Sequence, residues 1–332
     1  MKGLEKLTQD QKAAKEPAKI IPKGLTDKEL METDFPEPKW VIQNYLPEGE
    51  TIFGGKSKIG KSWLALGIAI AAASGGRFFG QKVDKVKVLY LALEDPYRRL
   101  KKRLKLILQD SPALGNISFH TSWPRIDKGG LDCIREWLIE NPDTKLVIID
   151  VLQKIRPRRR RGAGVYEDDY EVFSSIQQVA IEYGVAILVI HHTNQGTHDD
   201  FTSMLSGSEG VPGAGDTIWV IKRDRGKMDA VLKITGRDIE EEYDLALEFD
   251  KTTSTWQLLG NAEEYRRSKE RQDIIAILKQ AGGPLGIQDI ATSLGKQYNP
   301  VRSLLSLMAG SGEVLAVSRG KYIYTQPSSL EI

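Results

Sequence analysis

Gly55-Lys56-Ser57-Lys58-Ile59-Gly60-Lys61-Ser62 is the stretch on which the reading of this chain turns. It has the spacing G-x-x-x-x-G-K-[ST], with Glu50 to Phe53 before it reading as a strand and a long apolar run after it reading as a helix. Strand, glycine loop and helix together make an anion cradle. Gly55 and Gly60 permit backbone angles that turn successive N–H groups toward phosphate, and the helix N-terminus adds donors of its own. Lys61 is expected to reach the β- and γ-phosphates and the Ser62 hydroxyl to ligate Mg²⁺. Lys58, Ile59 and Trp63 complete the expected nucleotide-binding set.

Outward from the loop, two further runs end in acids. Leu146-Val147-Ile148-Ile149-Asp150 has the composition of a buried central strand that delivers Asp150 to the Mg²⁺ side of a bound nucleotide. Val88-Leu89-Tyr90-Leu91-Ala92-Leu93 ends in Glu94-Asp95, so a second carboxylate is expected beside the loop. Glu94 is the candidate for activating the attacking water.

The same alternation of apolar runs and amphipathic segments defines the fold class. Runs at Glu50 to Phe53, Val86 to Leu93, Leu146 to Val151, Val185 to His191 and Asp216 to Ile221 predict an α/β fold, a mostly parallel sheet flanked by helices. Ala230 to Thr235, Leu245 to Asp250 and Thr255 to Leu258 read as antiparallel additions to its edge. The expected organisation is a flexible charged arm over residues 1–38, a nucleotide-binding domain over 39–260, a linker over 261–270, a small domain over 271–326 and a tail over 327–332. In the small domain, helical periodicity from Ser268 to Gln280 is stopped by Gly282-Gly283-Pro284. A short helix at Ile287 to Leu294 follows, then a helix from Pro300 to Met308 and a hairpin turning at Arg319-Gly320, which together resemble a winged helix-turn-helix.

Composition narrows the setting. The 332 residues are 40% hydrophobic and 28% charged, and no apolar run reaches the ~20 residues of a membrane span. Met1 to Lys19 lacks the apolar core of a signal peptide, and the single Cys133 has neither a disulfide partner nor ligands at metal spacing. A cytoplasmic protein is expected. Net charge is only +2, so any attraction to nucleic acid must come from a local cluster. The cluster is Arg156-Pro157-Arg158-Arg159-Arg160-Arg161, directly after the Asp150 strand and kept irregular by Pro157 and by Gly162-Ala163-Gly164. Its arginines are expected to pair with phosphates of single-stranded DNA, with affinity that falls as salt rises. Tyr166 and Tyr170 are placed to stack on bases, although Glu167, Asp168 and Asp169 between them read as a helix start. A second loop, Gln195 to Gly210, is polar and rich in Gly and Ser. Arg302 and Lys321, with Lys296 and Arg319, are the candidates for duplex contact from the small domain.

The order of phosphate loop, strand ending in Glu94 and strand ending in Asp150 resembles the RecA/DnaB superfamily and, more closely, the RepA-like hexameric replicative helicases. The resemblance runs from about Pro36 to Leu259. Pro38-Lys39-Trp40, Leu91-Ala92-Leu93-Glu94-Asp95 and His191-His192-Thr193 carry it. So do Gly207-Ser208 with Gly213-Ala214-Gly215-Asp216, and Gly236-Arg237-Asp238. It implies a RecA-like core, ATP with Mg²⁺ as cofactor, a hexameric ring and a basic loop facing its channel. It also implies that His192 or His191 senses the γ-phosphate and that a basic residue completes the neighbouring subunit's site. Arg237 is the best match for that residue, with Lys233, Arg223 and Arg225 as weaker ones. Lys56 stands where partition-type ATPases carry their signature lysine, but Ser57-Lys58 replaces the Gly-Gly that follows it there.

The expected function is an ATP-driven oligomeric DNA motor, a helicase of a plasmid, phage or integrated element. Two other readings are a nucleotide-switched DNA-binding regulator and a loader or scaffold ATPase that does not unwind DNA.

Overall fold

The computed structural model describes residues 24–109, 111–158, 165–192, 215–223 and 229–324, with side chains from 168 onward in the third span. Arg159, Arg160, Arg161, the glycines that follow them, the Gln195 to Gly210 loop, Gly213-Ala214, Arg225 and the Tyr166 and Glu167 side chains lie outside the described residues.

Residues up to Glu37 form a unit of their own. It holds α1 (Asp27–Glu32), where no element was expected. The reason is local: Thr26 accepts from the Glu29 amide while Glu29 reaches back to the Thr26 amide, a reciprocal cap that starts a helix without tertiary help.

The second unit, from Pro38, is built on a nine-stranded sheet. Its strands are β3 (Gly49–Gly55), β6 (Lys87–Ala92), β7 (Ile117–His120), β8 (Thr144–Asp150), β9 (Ala186–His192), β10 (Thr217–Arg223), β11 (Asp229–Gly236), β12 (Tyr243–Asp250) and β13 (Thr255–Asn261). The spatial order is β13-β12-β11-β10-β3-β9-β8-β6-β7. Pairing is parallel from β10 through to β7 and antiparallel from β10 to β13, as the β-rich run after Ile221 predicted.

The central strands are apolar at nearly every position because each buries both faces. On β8, Leu146 and Ile148 face one core cluster while Val147 and Ile149 face the other. The first cluster lies under α2 (Lys61–Ser74), which follows the glycine loop, and the second under α4 (Gly130–Glu140) and α6 (Val165–Tyr183). α3 (Tyr97–Leu108) packs on the first cluster through Leu100, and the single-turn α5 (Leu152–Ile155) packs on the second. The acids of Glu167-Asp168-Asp169 open α6, as their position at a helix start predicted.

Two features were not legible in the sequence. β7 is four residues long and only half-buried at the sheet edge, too short to show a period. A four-stranded sheet of β1 (Trp40–Ile42), β2 (Leu46–Pro47), β4 (Gly76–Phe78) and β5 (Gln81–Val83) covers one end of the core. Its strands are two or three residues each, and what secures it is packing: Ile42, Leu46 and Val83 join the first cluster and Trp219 donates to the Tyr45 carbonyl at 3.0 Å.

After β13 the expected linker is helical. Asn261 caps α7 (Ala262–Ala281) by accepting from the Glu263 and Glu264 amides, so one helix runs through residues 262–281. It is followed by β14 (Leu285–Gly286), α8 (Ile287–Leu294), α9 (Tyr298–Gly310), β15 (Leu315–Ser318) and β16 (Lys321–Ile323). α9 begins at Tyr298, earlier than expected from Pro300; a proline in the first turn costs nothing because amides there have no helical acceptor. These elements enclose a separate small core around Ile274, Ile290, Leu305 and Met308. Among the described residues no helix is long and apolar enough to cross a membrane.

Candidate active site

The glycine loop joins β3 to α2 at the carboxyl ends of the parallel strands. Gly60 carries a left-handed φ of +110°, and a Cβ there would meet Trp256 Cζ2 at 2.8 Å, so only glycine fits. Trp256, on β13, also donates through its indole N–H to the Gly60 carbonyl at 3.1 Å. A Cβ on Gly55 would strike the Ile221 backbone oxygen at 2.9 Å. Both glycines are thus required by close approach as well as by phosphate geometry. Gly60 offers α2 no side-chain cap and the first turn has no acid, which leaves the helix N–H groups available to an anion.

Lys61 is buried at the start of α2. Its ammonium donates to the Gly55 carbonyl at 2.5 Å and the Lys56 carbonyl at 3.0 Å, and it stands 3.2 Å from His192 Nδ1. Burial lowers its pKa to about 8, against the pull of Asp150 and Glu94. The His192 pKa is also lowered, by burial first and by the Lys61 charge second. A charged Lys61 can only donate, so Nδ1 is the acceptor and the imidazole proton sits on Nε2. That nitrogen faces Glu94 Oε2 at 4.0 Å. Lys61, His192 and Glu94 thereby form a line from the phosphate loop to the end of β6.

Strand alternation separates the two histidines. β9 is parallel to β3, with Gly54 opposite His191 and Gly55 opposite His192. His192 falls on the α2 face beside Lys61, whereas His191 falls on the other face and packs edge-on against Phe173 with ring centroids 5.8 Å apart.

Asp150 ends β8 and is 6% exposed. Ser62 donates to its Oδ1 at 3.1 Å and Tyr90 to its Oδ2 at 2.9 Å. Burial raises the Asp150 pKa to about 6, against the two hydrogen bonds that favour the carboxylate. Tyr90 is pushed upward by burial, so it remains a neutral donor. A hydroxyl and a carboxylate adjoining in this way are hard oxygen donors of the kind that hold Mg²⁺ through one or two protein ligands. The sequence reading did not single out Tyr90; its signal was one polar tip in an otherwise aliphatic strand. Asp95, buried beside it, pairs with Arg99 at 2.8 Å and with Arg103. Arg103 in turn covers the Trp63 ring at 5.0 Å.

Other expected positions fall elsewhere. Ile59 is buried in the core, and the Trp63 side chain packs beside Phe249 as well as Arg103, so neither side chain faces the cradle. Lys58 is exposed, with a φ of +63° that suits the turn. Arg237 follows β11 at the opposite end of the sheet. Its amide donates to the Asp216 carbonyl and its guanidinium stands 3.6 Å from the Asp216 carboxylate. Register puts Gly236 beside Thr217 and Thr217 beside Thr51, roughly 13 Å of strand from Gly55 at about 3.3 Å per residue. Arg237 does not approach its own phosphate loop. Arg223, at the loop end of β10, has its guanidinium 6.0 Å from the Trp256 ring. Lys233 pairs with Asp244 at 3.0 Å.

Arg156 is corrected outright. Rather than reaching for nucleic acid, it is 9% exposed and ion-paired with buried Asp169 of α6. The short α5 turns the chain inward before Pro157 turns it out, and the loop arginines begin at Arg158, which is exposed. Arg302 on α9 and Lys321 on β16 are exposed, whereas Lys296 is paired with Glu270.

A parallel core with this glycine loop, Asp150 on the next strand but one and Glu94 beyond it defines a P-loop ATPase core with a RecA-like fold. The AAA domain family model matches residues 14–198, and the chain belongs to that family. No curated protein sequence matches it. Among solved structures, the isolated ATPase domain of another protein is similar at 15% identity and a TM-score of 0.52, covering 64% of this chain and 85% of that one. A DnaB-like replicative helicase, solved to show its interactions with primase, is similar at 16% identity and a TM-score of 0.51. The match covers 64% of this chain, which spans little more than half of that helicase, 57%. A KaiC-like protein from Pyrococcus horikoshii is similar at 15% identity and a TM-score of 0.47, over 66% of this chain and 94% of that one. For the first two, at 15% and 16% identity, the likeness is one of fold.

Proposed function

We propose that this protein is an ATP-hydrolysing, oligomeric DNA motor, a RepA-like replicative helicase of a plasmid, phage or integrated element that acts on single-stranded DNA. The observation that carries the reading is the Lys61–His192–Glu94 line, which joins the phosphate-binding lysine to a candidate base through a histidine at a strand end. In this reading the phosphates of ATP would lie against Gly55 to Ser62, and Ser62 and Asp150 would hold Mg²⁺, which would supply neutralising charge to the phosphates. Glu94 orients and deprotonates water. The γ-phosphate would take the Lys61 ammonium from His192 Nδ1, and His192 would then donate its Nε2–H to that phosphate and report the change to the chain that follows it.

A hexameric ring is part of the proposal, with a basic residue of one subunit completing the next subunit's site. Arg237 is exposed and remote from its own loop, which suits action on a neighbour; Arg223 is the alternative at the loop end. Arg158 to Arg161 would hold the phosphates of a strand in the channel. The three helices α7 to α9 with the β15–β16 hairpin support reading residues 271–326 as a winged helix, with Arg302 and Lys321 as its duplex contacts and 39–260 as the motor.

The test is the rate of ATP hydrolysis by the wild type and by the Arg158→Ala/Arg159→Ala/Arg160→Ala/Arg161→Ala variant, with and without single-stranded DNA, at two salt concentrations. Stimulation that needs the arginines and fades with salt is expected. Hydrolysis indifferent to DNA would overturn the motor and leave an ATPase with another partner.

A further inference from the structure

Directly after β8 and α5, the chain forms one wall of a cleft of about 270 Å³, and the loop that precedes α4 forms the other. Arg125, Gln153, Arg156, Pro157 and Arg158 line it. Three of these five side chains are guanidinium groups and none is a carboxylate. One charge is balanced from behind, because Arg156 is paired with Asp169 of α6. Arg125 and Arg158 supply the remaining positive charge, and Gln153 of α5 adds an amide to the lining.

Both walls are held firmly. The Arg125 carbonyl accepts from the Lys128 amide at 2.8 Å and from the Gly130 amide at 2.9 Å. Gly130 is pressed so closely on this turn that a Cβ would collide with the Pro124 carbonyl oxygen. Trp123 closes the turn by donating to the Gly130 carbonyl at 2.9 Å. On the other wall, the nine-tenths buried Arg156 pins the chain immediately before Pro157. Arginines presented from two braced segments lose little freedom when they engage an anion, and their planar donors suit phosphate oxygens.

We propose that this cleft binds a phosphate group, that Arg125 completes it opposite Arg158, and that the ligand in use is a backbone phosphodiester of single-stranded nucleic acid. The choice of nucleic acid rests on the motor reading above; the phosphate chemistry does not. The cleft is smaller than the ~300 Å³ at which small-molecule pockets begin, so it fits one phosphate of a longer ligand better than a whole nucleotide. Leu152 and Ile155 of α5 pack into the α4 and α6 face of the sheet, whereas α2 with its glycine loop covers the other face. A nucleotide at Lys61 therefore has its own cradle and does not need this one. Arg125 was invisible as a candidate in the sequence because it is more than thirty residues from the arginine run and has no basic neighbour before Lys128.

The experiment uses the full chain with a non-hydrolysable ATP analogue and Mg²⁺ bound. Binding of labelled oligo(dT) is followed by fluorescence anisotropy across a salt series for the wild type, Arg125→Gln, Arg158→Gln and the double variant. Arg125→Gln is expected to weaken binding about 5- to 20-fold at low salt and to make the salt dependence shallower by about 0.7 in log–log slope, one phosphate contact on a single strand. The double variant should lose less than the product of the two single losses, because both arginines serve one phosphate. Equal melting temperatures of the four proteins establish that folding is intact, and Arg158→Gln, at an exposed position, keeps the test open should Arg125→Gln fail to fold. In a parallel arm, inorganic phosphate is titrated calorimetrically into the same nucleotide-loaded proteins. Oligo(dT) bound with unchanged affinity and slope by Arg125→Gln would overturn the cleft while leaving the motor reading intact. Phosphate binding lost on Arg125→Gln, with no oligo(dT) binding even by the wild type, would keep the phosphate site and overturn its assignment to DNA. No dependence of either ligand on Arg125 would remove the site altogether.

Discussion

The Lys61 ammonium stands 3.2 Å from His192 Nδ1, and that contact sets the tautomer of the histidine and aims its other nitrogen at Glu94. A γ-phosphate bound at this loop, as proposed, would compete for the same ammonium. The pair is therefore placed to respond to the presence of nucleotide, and both members are testable. Lys61→Ala should abolish measurable ATP hydrolysis, a fall of at least ~10³-fold, because the transferring phosphoryl group loses its principal cation. Steady-state phosphate release checks this.

His191 and His192 should differ sharply. His192→Ala is expected to lower hydrolysis about 10- to 100-fold with nucleotide affinity changed only a few-fold, while His191→Ala, on the Phe173 face, should change neither rate nor affinity by more than about threefold. Glu94→Gln should retain binding of a fluorescent ATP analogue and lose about 10²- to 10⁴-fold in turnover. Equal losses from the two histidine variants would sink the assignment of the sensor.

Asp150 predicts a pH dependence of stability. Its pKa is raised in the folded, metal-free protein from the ordinary carboxylate range to about 6, so the folded state binds the proton more tightly than the unfolded chain. The stabilisation is complete below about pH 4 and is lost as pH rises through about 6. Asp150→Asn removes this dependence, and measured in EDTA at pH 7 it should be more stable than the wild type by about 1–3 kcal/mol while failing to hydrolyse ATP. Urea denaturation at about pH 4.5 and pH 7 checks the sign: the gain should be smaller at the lower pH.

Trp256 couples β13 to the glycine loop. Trp256→Ala should cost about 3–5 kcal/mol of stability through the cavity it leaves and weaken ATP binding about tenfold by releasing the Gly60 carbonyl. Trp256→Phe, which keeps most of the bulk and loses the indole donor, should cost about 1 kcal/mol. Chemical denaturation and nucleotide titration separate the two effects.

Arg156 and Arg158 lie two residues apart and should behave oppositely. Arg156→Ala leaves Asp169 as a buried, uncompensated carboxylate and is expected to destabilise by about 3–5 kcal/mol. Arg158→Ala should be within about 0.5 kcal/mol of the wild type, as its side chain is exposed. Thermal melts of the two variants decide it.

Gly55 to Ser62, the strand ending at Asp150 and the longer strands between Glu50 and Leu258, though not β4, β5 or the edge strand β7, could be read without the structure. Each rests on a local property, either a loop whose residue types are dictated by phosphate or an apolar run long enough to show that both faces are buried. The capping box at Thr26 and Glu29 was equally local and equally legible, though unread. What the tertiary structure alone decided is every relationship between segments distant in sequence. These include His192 rather than His191 beside Lys61, Tyr90 on Asp150, Trp256 over Gly60, Arg156 turned inward to Asp169 and Arg125 brought to Arg158. The physical reason is that a side chain's partners depend on strand register and on which face of the sheet it occupies. A shift of one residue exchanges the faces without altering the composition from which a sequence is read.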